Sequence, residues 1–282
     1  MLTAALLVAV GLASANAQSP CVATLNGGTE TIVRVNGRNA RTYVPSQIGN
    51  TTRPAIINFH GYGSSGADMG GLFNRQAEKE NWIHVYPDGS GLVRGWNGMG
   101  CCPGVVQDDV QFTKDIISEL ERTACLDRNS VYATGFSNGG FMSYKLMCLE
   151  GDMFKGIGPH SGTLTEARGE ICSNPGSKGT TVVHFHGKAD PLITYEGAIG
   201  LQAGAQESVD RAASLYGCNM NAVIVHQNGR ATCERYSGCA GGNTVELCSI
   251  DRLGHSWAQM SNADIDASDY MMNVFLDLEA RK

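Results

Sequence analysis

A serine with one glycine two places before it and another two places after, Gly135-Phe136-Ser137-Asn138-Gly139, closes the apolar run Val131-Tyr132-Ala133-Thr134. A serine hydroxyl is a poor nucleophile until a base takes its proton, and this spacing sets it on a sharp turn between strand and helix. A nucleophile at Ser137 requires an acid, a base and an anion site elsewhere in the chain. Of the later histidines, His184 and His186 precede the best acid, and His226 alternates within "AVIVHQ" as a satisfied strand residue. His255, in Leu253-Gly254-His255-Ser256-Trp257, follows the last strand and is the expected base. Asp190 lies in the turn after "TVVHFHG" and is the expected acid, its carboxylate accepting the imidazole Nδ1 proton and fixing the tautomer. Asp251 is only four residues from His255 and poorly placed to reach around the ring; Asp108 and Asp109 read as a helix N-cap and dipole complement. The oxyanion donors are expected to be the amides of Asn138 and of Tyr62 in the Gly-rich turn His60-Gly61-Tyr62-Gly63. His184 and His186 are expected on opposite faces of a strand, holding no metal, and the chemistry needs no cofactor.

The elements that must position these groups follow from periodicity. "TIVRVNGRNARTYVP" is a hairpin around Asn36-Gly37, and "AIINFHG" and "WIHVYPDG" are buried parallel strands. "VQFTKDIISEL" is a helix after the paired aspartates, and the strand "VYATGF" leads into a helix from about Asn138 to Cys148. "TVVHFHG", "AVIVHQ", "ATCERYS" and "NTVELCSI" are further strands, followed by a helix over about 264–278. Strands alternating with helices predict a mainly parallel α/β sheet with helices on both faces, in the order of an α/β-hydrolase.

Composition narrows the class: 42% hydrophobic and 17% charged residues suit a soluble globular chain, and a net charge of -6 without a Lys/Arg cluster argues against nucleic-acid binding. "MLTAALLVAVGLASANAQSP" is too short to span a bilayer and closes on Ala15-Asn16-Ala17, which predicts a signal peptide over 1–17 and a single domain over 18–282 with no membrane anchor. Ten cysteines fit the same oxidising, extracellular setting. Asn50-Thr51-Thr52 is a glycosylation sequon, and the chain is expected to be a monomer.

Taken in order, "PAIINFHGYGSS", "YPDG", "GWNGMGCC", "DDVQF", "VYATGFSNGGFMSYKLMC", "HFHGKADPLITYEG" and "GHSW" resemble the secreted esterase family of poly(3-hydroxybutyrate) depolymerase-like proteins and carbohydrate esterase family 1 feruloyl esterases. The resemblance covers nearly the whole mature chain and implies the same triad on Ser137, Asp190 and His255. It departs at Trp257-Ala258-Gln259, where the family often has Trp-Pro-Gly, so the site rim is expected to differ there. The activity it implies is serine carboxylesterase, with hydroxycinnamoyl esters of plant polysaccharide as the favoured substrate; Trp96, Tyr62 and Trp257 are candidate aromatic walls for such a ligand. Polyester hydrolysis, acetyl-xylan hydrolysis and a non-catalytic hydrolase-like binder are the competing readings.

Setting "ATCERYS" antiparallel to "NTVELCSI" puts Arg235 opposite Glu246 and Cys233 opposite Cys248, which predicts a Cys233–Cys248 bridge. Cys239 at the loop tip is then expected to reach Cys218. Cys101 and Cys102 are expected to take Cys125 and Cys148, in either order, rather than each other, leaving Cys21 for Cys172.

Overall fold

The computed structural model describes residues 21–47, 51–165, 172–198 and 202–281; the leader expected over 1–17 and the sequon at Asn50 lie outside the described residues. Ten strands run in chain order as β1 (Thr29–Val35), β2 (Arg38–Val44), β3 (Arg53–Phe59), β4 (Ile83–Pro87), β5 (Leu126–Phe136), β6 (Gly156–His160), β7 (Thr181–Gly187), β8 (Asn219–Asn228), β9 (Ala231–Ser237) and β10 (Val245–Ile250). They form one sheet in the order β1-β2-β4-β3-β5-β6-β7-β10-β9-β8. The six strands from β4 to β10 in that order are parallel, and antiparallel pairs extend both ends. The β1–β2 hairpin turns at Asn36 and Gly37, both at positive φ (50° and 79°), the geometry that Asn-Gly favours.

Two apolar layers explain why the parallel strands are buried along most of their length, the exposed Arg128 and Asn129 early in β5 excepted. On one face lie α2 (Asp109–Thr123), α3 (Asn138–Glu150) and α4 (Ala205–Leu215), bringing Phe112, Ile116, Phe141, Tyr144 and Val209 onto the sheet. On the other lie α1 (Gly66–Glu80) and α6 (Ala267–Ala280), bringing Met69, Phe73, Met271 and Phe275. Between α4 and α6 comes the one-turn α5 (Met260–Ala263). Phe275 is fully buried with its ring 4.6 Å from that of Tyr132, a burial that contributes about 2 to 3 kcal/mol. Helix α6 starts at 267 rather than near 264 because Asp264 has φ 59° and binds Arg230, while the Asp266 carboxylate caps the helix by accepting from the amides of Ser268 and Asp269.

All ten cysteines are bridged, as Cys21–Cys125, Cys101–Cys102, Cys148–Cys172, Cys218–Cys239 and Cys233–Cys248. The last follows from the β9–β10 register, in which Cys233 faces Cys248 and Arg235 faces Glu246. The expected Cys21–Cys172 bridge is incorrect, as is any bridge from Cys101 or Cys102 to Cys125 or Cys148. Thr24 and Leu25 donate to the Thr123 carbonyl, so the N-terminal segment runs along the end of α2 and delivers Cys21 to Cys125. Asn174 donates to the Cys148 carbonyl, which lays the segment after Cys172 across the end of α3. Cys125 precedes β5, whereas the loop of Cys101 and Cys102 lies at the opposite sheet edge, beside the residues that follow β3, so a full strand length separates them.

Candidate active site

Ser137 stands at the carboxyl end of β5, where α3 begins, with φ 54° and ψ −117°, a conformation that side chains other than glycine rarely adopt. The flanking glycines make that turn possible. A Cβ at Gly139 would lie 2.0 Å from the Phe59 carbonyl oxygen, and one at Gly135 2.4 Å from the Gly139 backbone. Helix α3 therefore enters directly against β3 and β5, and the serine is lifted above the strand ends while its N–H donates to the His160 carbonyl at 2.8 Å.

Asp190 follows β7 and His255 follows β10, the neighbouring strand. His255 Nδ1 is 2.7 Å from Asp190 Oδ2. Asp190 Oδ1 accepts from the amides of Leu192 and Ile193, both at 2.9 Å. Burial pushes the Asp190 carboxyl up, but the bonds from His255, Ile193 and Leu192 outweigh it and hold the group below the usual carboxylate range. The Phe136 ring, adjacent to Ser137, lies 4.8 Å from the imidazole of His255, so the serine turn and the histidine loop meet at one edge of the sheet. Asp251 is instead an exposed partner of Lys188. Asp108 caps α2 through the Gln111 amide, whereas Asp109 is buried and binds Arg38 and the Asn97 N–H, bracing the turn before α2.

The strap His60–Gly63 lies against the serine turn: a Cβ at Gly61 would sit 3.6 Å from the Ser137 Cβ. Gly63 and Ser64 donate their amides to Arg94 and Gly61, while the Tyr62 hydroxyl donates to the Pro103 carbonyl. Two aromatic expectations need correction. Trp96 is fully buried, not a wall, because its indole N–H donates to the His60 carbonyl at 2.9 Å. Trp257 is buried too, its indole stacked on His160 at 4.7 Å and its N–H donating to Ser268. Tyr62, 37% exposed, remains open to solvent, as does Leu192 (67%), two residues after Asp190.

Several supporting groups escaped the sequence reading. The Asn138 side chain closes two bonds on the Trp96 backbone, accepting from its N–H at 2.6 Å and donating to its carbonyl at 2.9 Å. His60 Nδ1 donates to the Gly61 carbonyl while Nε2 accepts from the Gly89 amide, a pattern that fixes a neutral ring under the strap. His160 Nε2 accepts from the Ala258 amide at 2.9 Å and ties down the segment after His255. Burial pushes His60 down and His160 far down, so both stay neutral. His184 and His186 do not face opposite sides of β7. Residues two apart share a face, and the two rings lie within 11° of parallel, joined by a 3.1 Å contact. Among the described residues no group of three or more His, Cys, Asp or Glu is arranged to hold a metal ion.

A family model described as phospholipase/carboxylesterase matches residues 44–235. Feruloyl esterase B of Piromyces equi is 28% identical over 221 residues, which is 74% of this chain but 40% of that protein, so the chain spans well under half of that relative's length. A probable feruloyl esterase C of Aspergillus clavatus is 26% identical over 257 residues, covering 87% of this chain and 85% of its own. Among solved structures, an acetyl xylan esterase from Aspergillus awamori superimposes with a TM-score of 0.67 over 88% of this chain and 99% of its own; at 14% identity this is a likeness of fold.

Proposed function

The chain belongs to the phospholipase/carboxylesterase family of α/β-hydrolases, and from that premise we propose that it is a secreted serine esterase that frees hydroxycinnamates such as ferulate from plant cell-wall polysaccharide. The observation that carries the reading is the 2.7 Å bond between His255 and Asp190 at the sheet edge where the strained Ser137 turn emerges. Ser137 Oγ attacks the ester carbonyl as His255 Nε2 takes its proton, and Asp190 holds the ring and stabilises the imidazolium. The amides of Asn138, at the start of α3, and Tyr62, beside the engaged amides of Gly63 and Ser64, receive the developing oxyanion. His255 returns the proton to the departing sugar hydroxyl. Water then attacks the acyl-enzyme with His255 as base, releasing the acid and restoring Ser137.

The names of the relatives support the feruloyl class, and the exposed Tyr62 and Leu192 offer apolar surface for an aromatic acyl group. Five bridges favour an extracellular protein, a mature single domain over 18–282. The experiment is turnover of methyl ferulate, acetylated xylan and hydroxybutyrate oligomers by the exported protein, whose N-terminus is expected at Gln18. Methyl ferulate is expected to be turned over fastest, and Ser137→Ala to lose several orders of magnitude on every ester. Faster acetate or hydroxybutyrate release overturns the substrate class; Ser137→Ala activity within about tenfold of the parent overturns the triad.

A further inference from the structure

Beneath the acid runs a buried line of hydrogen bonds that the reaction itself does not use. It begins at Tyr144 on α3, seven residues after Ser137, and crosses the sheet face to the loop that carries Asp190. The Tyr144 hydroxyl is 2.7 Å from His184 Nδ1, His184 Nε2 is 3.1 Å from His186 Nδ1, and His186 Nε2 is 2.7 Å from the Ile193 carbonyl oxygen. All three side chains are fully buried.

The direction of the whole line follows from its last acceptor. A carbonyl only accepts, so His186 carries its proton on Nε2. Burial pushes both imidazoles down and keeps them neutral, so His186 Nδ1 is bare and must accept from His184 Nε2–H. His184 Nδ1 is then bare in turn and accepts the Tyr144 O–H. One backbone carbonyl thus sets two tautomers and a hydroxyl rotor.

What that carbonyl belongs to gives the line its meaning. Ile193 and Leu192 supply the amides that hold Asp190 Oδ1, and Oδ2 is left for His255. His186 Nε2 lies only 3.7 Å from Asp190 Oδ2, yet its proton points to Ile193. We propose that His186 is the positioning residue of the acid loop: its Nε2–H anchors the Ile193 carbonyl, which keeps the two amides on Oδ1 and reserves Oδ2 for His255. Through His184 and Tyr144 the anchor is braced on the helix that begins at the nucleophile, so acid and nucleophile share one rigid support. The inference rests on the triad assigned above.

The test compares His186→Leu with His186→Gln in the full-length protein, assayed on p-nitrophenyl butyrate. Loss of the donor should lower kcat roughly 10- to 100-fold with KM within about twofold, because a displaced carboxylate disturbs the reacting geometry rather than ester binding. Glutamine places an amide N–H near the Nε2 position and should restore kcat to within about threefold. Should His186→Leu not fold, judged by circular dichroism, His186→Asn replaces it: polar, but too short to reach Ile193, with the same loss expected. A leucine or asparagine variant as active as the parent, or a glutamine variant as impaired as either, overturns the proposal. Ser137→Ala in the same assay separates the two readings. Activity surviving there strikes the triad; an inactive Ser137→Ala beside an unimpaired His186→Leu strikes only the positioning role.

Discussion

At the scale of single residues the glycines differ in what a side chain in their place would meet. A methyl at Gly139 would meet the Phe59 carbonyl at 2.0 Å, a contact that neither α3 nor β3 can relieve without moving Ser137. Gly139→Ala is therefore expected to cost about 3 kcal/mol or more and to abolish activity in whatever folds. Gly71, exposed within α1, has no heavy atom within 4 Å of such a methyl among the described residues beyond its own helix backbone. Gly71→Ala should instead stabilise the protein by about 0.5 to 1 kcal/mol, since alanine loses less backbone entropy in a helix. Denaturant unfolding of the two variants checks both signs, and a destabilised Gly71→Ala or an indifferent Gly139→Ala contradicts the packing described.

At the scale of elements the antiparallel extension β9–β10 carries a covalent tie, Cys233–Cys248, with a sequence separation of 15. Replacing both cysteines by alanine frees that loop in the unfolded chain and is expected to cost about 3 kcal/mol. The loss should appear in the melting temperature far more than in kcat, because the pair of half-buried Arg235 with buried Glu246 and the β10–β7 ladder still fix the strand that leads to His255. A kcat loss above about tenfold in the folded double variant would mean that the bridge, not the ladder, sets the histidine loop. Helix α1 illustrates the limit of pattern reading at this scale. Its glycines 66, 70 and 71 weaken any helical signal, and what secures it is burial of Met69 and Phe73 together with Asp68 accepting from the Ser65 amide.

At the scale of the molecule the histidines dominate the response to acid. His60, His84, His160, His184 and His186 are all pushed down by burial, His84 to about 3, so they stay neutral when folded but take up protons when unfolded below about pH 6.5. Their contribution to stability is present above that pH and drains away as the pH falls toward the folded values. Glu80, pushed up to about 7 by burial, and Glu246, also raised by burial, act in the opposite sense, binding protons when folded. With five histidines acting in one sense and two carboxyls in the other, unfolding takes up protons on balance between pH 6 and 5. Calorimetric melting temperature is expected to fall steeply across that interval; a flat or rising profile would show that these rings are not neutral in the fold.

The sequence by itself determined the features that depend on local geometry. The Gly-x-Ser-x-Gly turn needs only its own spacing, and the sheet order places the residues after β3, β5, β7 and β10 on one edge. The Cys233–Cys248 bridge was legible because two adjacent strands have a single register that matches charge with charge. The shared face of His184 and His186 was legible too, in the two-residue period of a strand, and the expectation of opposite faces runs against that period. Only the tertiary structure decided what arises from segments far apart in the chain. Trp96 is buried because the strap and the Asn138 side chain close over it, which no pattern around "GWNG" carries. Cys21 meets Cys125 across 104 residues because the N-terminal segment docks on the end of α2. The line from Tyr144 to Ile193 exists because α3, β7 and the loop that follows β7 converge. Hydrogen bonds of that kind depend on distances between elements, and a sequence encodes those distances only through the packing of the whole core.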